Sequence, residues 1–194
     1  MSQALTTIVA TSNRQCAGLI EGELRNLGGY DMQLLPEPKM LARQVQLSAP
    51  DVVLLHAETA SREQLENLAQ AAGARHRPVV LFVDQSQDGL PALAIEAGIS
   101  AYVVDGLQPA RLKPILEATL ARFQLFQRLR TEHAEALRAL EERKIIDRAK
   151  GMVMRSRNIG EDEAYTLLRK AAMDQNKRVA EVAKALVTTA GLLA

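Results

Sequence analysis

Ten cations and one aromatic residue lie close together near the end of this 194-residue chain: Arg143, Lys144, Arg148, Lys150, Arg155, Arg157, Tyr165, Arg169, Lys170, Lys177 and Arg178. They sit in the stretch Glu141 to Val187, where apolar residues recur at helical spacing and basic residues fill the faces between them. From Arg138 onward there are 12 Lys and Arg against 8 Asp and Glu, a charge of +4. The remaining residues carry 12 against 15, or −3, so the net +1 conceals a basic tail on a slightly acidic body. Concentrated positive charge favours a polyanionic partner. A charge of +4 on its own also describes an ordinary solvated helical bundle.

A second group of polar residues stands where apolar runs end: Thr11-Ser12-Asn13, His56-Ala57-Glu58, Val83-Asp84 and Asp105-Gly106. The elements that place them alternate. Thr6 to Ala10 reads as a short strand, Arg14 to Leu27 as a helix stopped by Gly28-Gly29, and Tyr30 to Leu35 as an alternating strand before Pro36 and Pro38. A helix fits Lys39 to Ser48, and the continuous apolar run Asp51 to Leu55 demands a buried parallel strand. Helix Ser61 to Ala72, strand Val79 to Val83, helix Leu90 to Ala97, strand Ala101 to Val104 and a helix opening near Pro109 complete the pattern. The fold class is therefore α/β: a doubly wound, five-stranded parallel sheet, flavodoxin-like, followed by a long helix and a small all-α three-helix bundle. Ligands on such sheets gather at the carboxyl ends of the strands, where the polar residues stand.

The long helix has no evident stop between Leu112 and Met154, with Pro114 in its first turn and Gly151 near its end. Leu116, Leu120, Phe123, Phe126, Leu129, Leu137 and Leu140 form an apolar stripe. A heptad with Phe123 and Phe126 at a and d also lands on Leu137 and Leu140, but its middle falls on Arg130 and His133. The stripe predicts a coiled-coil-like pairing, within the protein or as a homodimer; a single helix packed on its own sheet domain is the other reading. The expected domains are 1–122, a connecting helix over 123–140, and 141–194. In the last of these, Ile145, Ile146, Ala149, Met152 and Val153 line the first helix, which Asn158-Ile159-Gly160 ends. Ala164, Leu167, Leu168 and Ala171 face inward from the second, and Val179, Val182, Ala183 and Leu186 from the third. Ala149, Gly151, Ala164 and Ala172 read as close-packing positions.

Bulk features narrow the classes. The single Cys16 excludes an internal disulfide framework. No secretion signal is evident at the N-terminus, and no run of 18 apolar residues occurs. A cytoplasmic protein with no membrane contact is expected. No nucleophile, base and orienter assemble from these motifs, so an enzyme, a metal site or a bound cofactor is not expected.

PDVVLL (Pro50 to Leu55), RPVVLF (Arg77 to Phe82) and EAGISAYVV (Glu96 to Val104) resemble the third, fourth and fifth strand regions of response-regulator receiver domains. That family accepts a phosphoryl group with magnesium-binding acids after strands one and three, a Ser or Thr after strand four and a Lys after strand five. The corresponding residues here are Thr11, Ser12, His56, Val83 and Asp105. A hard cation wants carboxylate oxygens, Val83 donates no hydrogen bond, and Asp105 reverses the charge that an anion needs. The resemblance thus implies a pseudo-receiver, in which His56 reads as a structural histidine sooner than as a phosphohistidine. The segment Ala101 to Pro109 is a candidate contact surface, with Val104 expected in the sheet core and Tyr102 open between core and contact.

ERKIIDRAKGMVM (Glu142 to Met154) and EDEAYTLLRKAAMDQNKRVAEVA (Glu161 to Ala183) are similar to the ANTAR family of transcription antitermination domains. Ala101 to Phe123 looks most like the NasT type, the nitrate/nitrite-assimilation regulators. The resemblance implies binding to paired stem-loops in leader mRNA, which prevents a terminator hairpin from forming. It also implies control by a nitrate-binding partner protein. Arg143, Lys144, Arg148, Lys150, Arg155, Arg169, Lys170, Lys177 and Arg178 would then contact phosphates and loops, and Tyr165 would stack on a loop base. DNA binding and a role as a protein-interaction hub in nitrogen signalling remain the alternatives.

Overall fold

The computed structural model describes residues 4–191. Its compact units are Met1–Gln127 and Arg128–Ala194. Among the described residues of the first unit, a five-stranded parallel sheet has the order β2-β1-β3-β4-β5: β1 Leu5–Ala10, β2 Tyr30–Leu35, β3 Val52–Ala57, β4 Val79–Val83 and β5 Ala101–Val103. The helices between them are α1 (Arg14–Leu27), α2 (Leu41–Ser48, entered through a 3-10 turn at Pro38–Met40), α3 (Arg62–Ala72) and α4 (Leu90–Glu96). This is the doubly wound arrangement that the alternation predicts.

Side chains alternate along each strand and so divide the core in two. Ile8, Val53, Leu55, Leu81 and Val83 pack with α2, α3 and α4 through Leu41, Leu65 and Ala94. On the other face, Val9, Leu54, Val80 and Phe82 meet Ile20 and Leu24 of α1, and Leu112 and Leu116 of the helix after β5. Covering on both faces explains why β3 and β4 are almost uniformly apolar. β2, at the edge, is buried only in part and keeps a polar alternation. Local chemistry sets the helix ends. Asn13 caps α1 by accepting from the amides of Gln15 and Cys16, and Ser61 forms a reciprocal capping box with Gln64 at the start of α3.

The helix after β5, α5, runs without a break over Pro109–Arg157 and contributes residues to both units. Phe126, Leu129, Leu137 and Leu140 on it are exposed. In the second unit, α5 is followed by α6 (Glu161–Asp174) and α7 (Val179–Gly191). Their shared core is Ala149, Leu168 and Ala183, with Ile145, Ile146, Val153, Val179, Leu186 and Val187 packed partly against it.

Four expectations need correction. β3 runs on to Ala57, which places His56 inside the strand and under cover rather than at its end. β5 stops at Val103 because Asp105 and Gly106 adopt φ of 69° and 67°, a left-handed turn no strand can contain, and Val104 is left 36% exposed instead of in the core. Leu167 is 39% exposed instead of facing inward, and the buried stripe of α6 runs through Ala164, Leu168 and Ala172. Gly151 is not a close-packing position: a Cβ added there would meet only the Arg155 side chain, at 3.7 Å.

Candidate functional site

At the carboxyl ends of the strands, three polar residues are tied together. Thr11, directly after β1, is buried, and its Oγ1 lies 3.2 Å from His56 Nδ1. His56 Nε2 lies 3.2 Å from Asp84 Oδ1, just beyond β4. The Asn13 amide donates to Thr11 Oγ1 at 3.1 Å. With a neutral imidazole, the Thr11 hydroxyl donates to Nδ1 and Nε2–H donates to the carboxylate. Every buried polar atom of the trio then has a partner, as burial requires. The backbone of β5's turn completes the arrangement. The Gly106 amide donates to the Val83 carbonyl at 2.9 Å, and a Cβ on Gly106 would stand 2.7 Å from Asp84 Oδ1. Glycine at 106 therefore both supplies the left-handed turn and makes room for the carboxylate against His56.

Of the five residues at receiver phosphorylation positions, the structure brings Thr11 and His56 into contact, buries Val83 in the sheet core and leaves Ser12 and Asp105 exposed. Asp84, legible in the sequence only as a nearby acid, is the third member. A polar residue immediately after a fully apolar strand was the available signal. Among the described residues no cluster of three or more His, Cys, Asp or Glu is placed to hold a metal ion. Cys16 lines the same cleft as His56 and Asp84. Burial, and then the charge of Asp84, push its thiol up to about 11, so it stays protonated and unreactive near neutral pH.

The second region is the helical bundle. Alanines at 149, 164, 172 and 183 are buried at its helix contacts and let the backbones approach closely. Asn158, at φ 54°, ends α5, and Glu161, Asp162 and Glu163 occupy the first turn of α6, where carboxylates suit the helix dipole. All ten predicted contact residues belong to this unit. Arg143, Lys144, Arg148, Arg155, Tyr165, Arg169, Lys170, Lys177 and Arg178 are exposed. Lys144 pairs with Glu141 at 2.9 Å one helical turn away, and Arg178 reaches Glu142 at 3.2 Å, joining the start of α7 to α5. Arg143, Arg148, Arg155, Arg169 and Lys170 have no salt bridge among the described residues.

Lys150 differs from the other nine. Its side chain is 16% exposed and its ammonium lies between Asp147 at 2.7 Å and Glu161 at 2.6 Å, which fastens α5 to the first turn of α6. The Asp147 hydrogen bond, then the Glu161 one, raise the Lys150 pKa, and the same bond from Lys150 lowers that of Asp147. With both carboxylates on it, this ammonium acts within the bundle rather than as a free cation.

The ANTAR domain family model matches residues 134–187. Over 146 residues the chain is 30% identical to the transcriptional regulatory protein PdtaR of Mycobacterium tuberculosis, spanning 75% of this chain and 71% of that protein. The chain belongs to the ANTAR-domain regulatory proteins. A nitrate regulatory protein of Klebsiella oxytoca is 39% identical over 140 residues, 70% of this chain but 35% of that longer protein. Among solved structures, a CheY-like response regulator receiver domain from Methanospirillum hungatei covers 63% of this chain and 98% of its own, at 11% identity and a TM-score of 0.53. The N-terminal domain of a response regulator/sensory box/GGDEF protein from Carboxydothermus hydrogenoformans covers 62% and 97%, at 17% and 0.51. The sheet unit thus has the receiver fold. The ANTAR match contains every one of the ten candidate contacts, and it begins within α5, upstream of the bundle's first buried residue. No helix among the described residues is long and apolar enough to cross a membrane.

Proposed function

We propose that this ANTAR protein is a cytoplasmic transcription antiterminator that binds paired stem-loops in a leader mRNA and keeps the terminator hairpin from forming. The ANTAR match over residues 134–187 carries the reading. The exposed arginines of α5 and α6 that make no salt bridge among the described residues support it, because phosphate contacts dominate RNA affinity. Arg143, Lys144, Arg148, Arg155, Arg169, Lys170, Lys177 and Arg178 contact phosphates or loop, Tyr165 stacks on a loop base, and Lys150 holds the helices that present them. In this division of labour, residues 1–122 are a pseudo-receiver, 123–140 a connecting helix and 141–194 the RNA reader. The exposed stripe Phe126, Leu129, Leu137 and Leu140 pairs two copies.

Genes of nitrate or nitrite assimilation are the proposed targets, by kinship with the Klebsiella nitrate regulatory protein. Regulation comes from a partner protein, a nitrate-binding one, rather than from phosphorylation. The tied Thr11–His56–Asp84 trio supports this, since β3 holds no acceptor aspartate and the carboxylate of the trio is engaged by His56. Binding of the full chain to a two-hairpin leader RNA and to a duplex promoter DNA, across a salt series, tests the reading. Loop-dependent RNA binding that weakens with salt is expected; equal affinity for both, with no loop dependence, would sink it. Incubation with a small phosphodonor and magnesium is expected to leave the mass unchanged, and a stable adduct would overturn the pseudo-receiver assignment.

A further inference from the structure

Within the bundle, α5, α6 and α7 leave an open cleft of about 490 Å³, in the range of small-molecule sites. Val153 of α5, Leu186 of α7 and the exposed Leu167 of α6 give it apolar lining. Arg157, Lys170 and Asp174 also line it. None of these three charged groups has a salt bridge among the described residues. Asp174 is also the last residue of α6, where a carboxylate opposes the helix dipole. Its carboxylate makes no salt bridge among the described residues that would offset this placement.

We propose that this cleft receives one unpaired RNA base whose edge carries an amino donor; the proposal rests on the reading of the bundle as an RNA binder. Phosphates alone would need the two cations and nothing apolar. A purely apolar partner would leave Arg157, Lys170 and Asp174 unsatisfied as they lost water. A nucleotide unit matches all three features. Its base packs flat faces on Val153, Leu167 and Leu186, its flanking phosphates meet Arg157 and Lys170, and its amino group donates to the Asp174 carboxylate. Tyr165 then stacks on a different base of the loop. Discrimination among bases resides at Asp174, and affinity in the apolar walls and the cations.

The test uses the full chain and a pool of RNA hairpins with randomised loops. Wild-type protein is expected to enrich one base at a loop position. Asp174→Asn, which keeps the shape but adds a donor, is expected to change or erase that preference. Leu167→Asp alters an exposed side chain, so unchanged thermal unfolding is expected, with affinity for the selected RNA lower by about tenfold or more. Arg143→Ala is expected to weaken binding across the whole pool while the enriched base stays the same. Identical enrichment by wild type, Asp174→Asn and Leu167→Asp overturns the base cleft while leaving RNA binding intact. Loss of self-association by Leu167→Asp with unchanged RNA selection overturns it too, by making the cleft a contact between copies. A wild-type protein that retains no RNA from the pool defeats the cleft together with the RNA reading, an outcome distinct from either.

Discussion

Strand β4 and helix α6 show how differently the two units use their residues. Every residue of β4, Val79 to Val83, is buried, and Phe82 sits in a core supplied by α1, α5 and two neighbouring strands. In α6 only Ala164, Leu168 and Ala172 are buried, while Tyr165, Leu167, Arg169 and Lys170 face solvent. The sheet unit spends its side chains on mutual packing, and even the polar Thr11 and His56 are buried, with the exposed Asp84 bonded to His56. The bundle closes on alanines and Leu168, with its other large apolar side chains only partly buried. A dense unit with a self-satisfied polar site suits a docking body; a thin-cored unit with a charged surface suits contact with a polyanion. Exchange of native amides is expected to follow the same division, slowest in β3 and β4 and faster in α6 and α7.

The comparison is broken most directly by truncating one core residue in each unit. Phe82→Ala is expected to destabilise the sheet unit by about 3–5 kcal/mol, and Leu168→Ala the bundle by about 2 kcal/mol, because fewer neighbours surround the deleted atoms. Denaturant unfolding followed separately in each unit checks this, and equal losses would contradict the contrast in packing. Next in size is Thr11→Val, which strips His56 Nδ1 and the Asn13 amide of their partner at nearly constant volume. A loss of about 1–3 kcal/mol is expected, and a neutral effect would mean the trio contributes no order to the strand ends. Gly106→Ala adds a strained left-handed alanine and pushes Asp84 from His56, at about 1–2 kcal/mol. Its readout is the His56 ring resonance by NMR alongside stability.

The smallest effect concerns the Lys150 tie. The folded-state pKa of Asp147 is lowered, so its stabilising contribution is present above the ordinary value of 3.8 and is lost as pH falls through the folded value. That of Lys150 is raised, so its contribution is complete below the ordinary 10.5 and is lost as pH rises through the folded value. The difference in Tm between wild type and Lys150→Met is therefore expected to be flat through neutral pH and to shrink at both extremes. A difference that changed between pH 6 and pH 8 would place the tie's titration elsewhere.

Much of this was legible in the residues themselves. The apolar runs of β3 and β4 announce a parallel sheet because burial on both faces leaves no room for polar alternation. The Asn158-Ile159-Gly160 break and the acids at 161–163 mark the passage from α5 to α6 because local capping chemistry acts over a few residues. The partner of His56 was not legible: Thr11 and Asp84 lie 45 and 28 residues away and meet it only through the order of the strands. Nor was the engagement of Lys150, which depends on where the first turn of α6 falls against α5. Leu167 and Val104 went astray for a related reason, since helical spacing and apolar character do not reveal which wall of a three-helix bundle is open, or where a strand ends in a left-handed turn.

The amino-acid sequence by itself determined the fold class, the order of the elements, the ANTAR resemblance of Glu142 to Met154 and Glu161 to Ala183, and the mismatch of the phosphorylation positions with a working receiver. These depend on residue type and on spacing along the chain, which local periodicity and short motifs express directly. Only the tertiary structure decided that the mismatched positions close into a Thr11–His56–Asp84 trio, that Lys150 fastens two helices while its neighbours stay exposed, and that Arg157, Lys170 and Asp174 surround an apolar cleft. Each of these joins groups from different elements, and a hydrogen bond or a cleft exists only once packing has brought those elements within a few ångströms of each other.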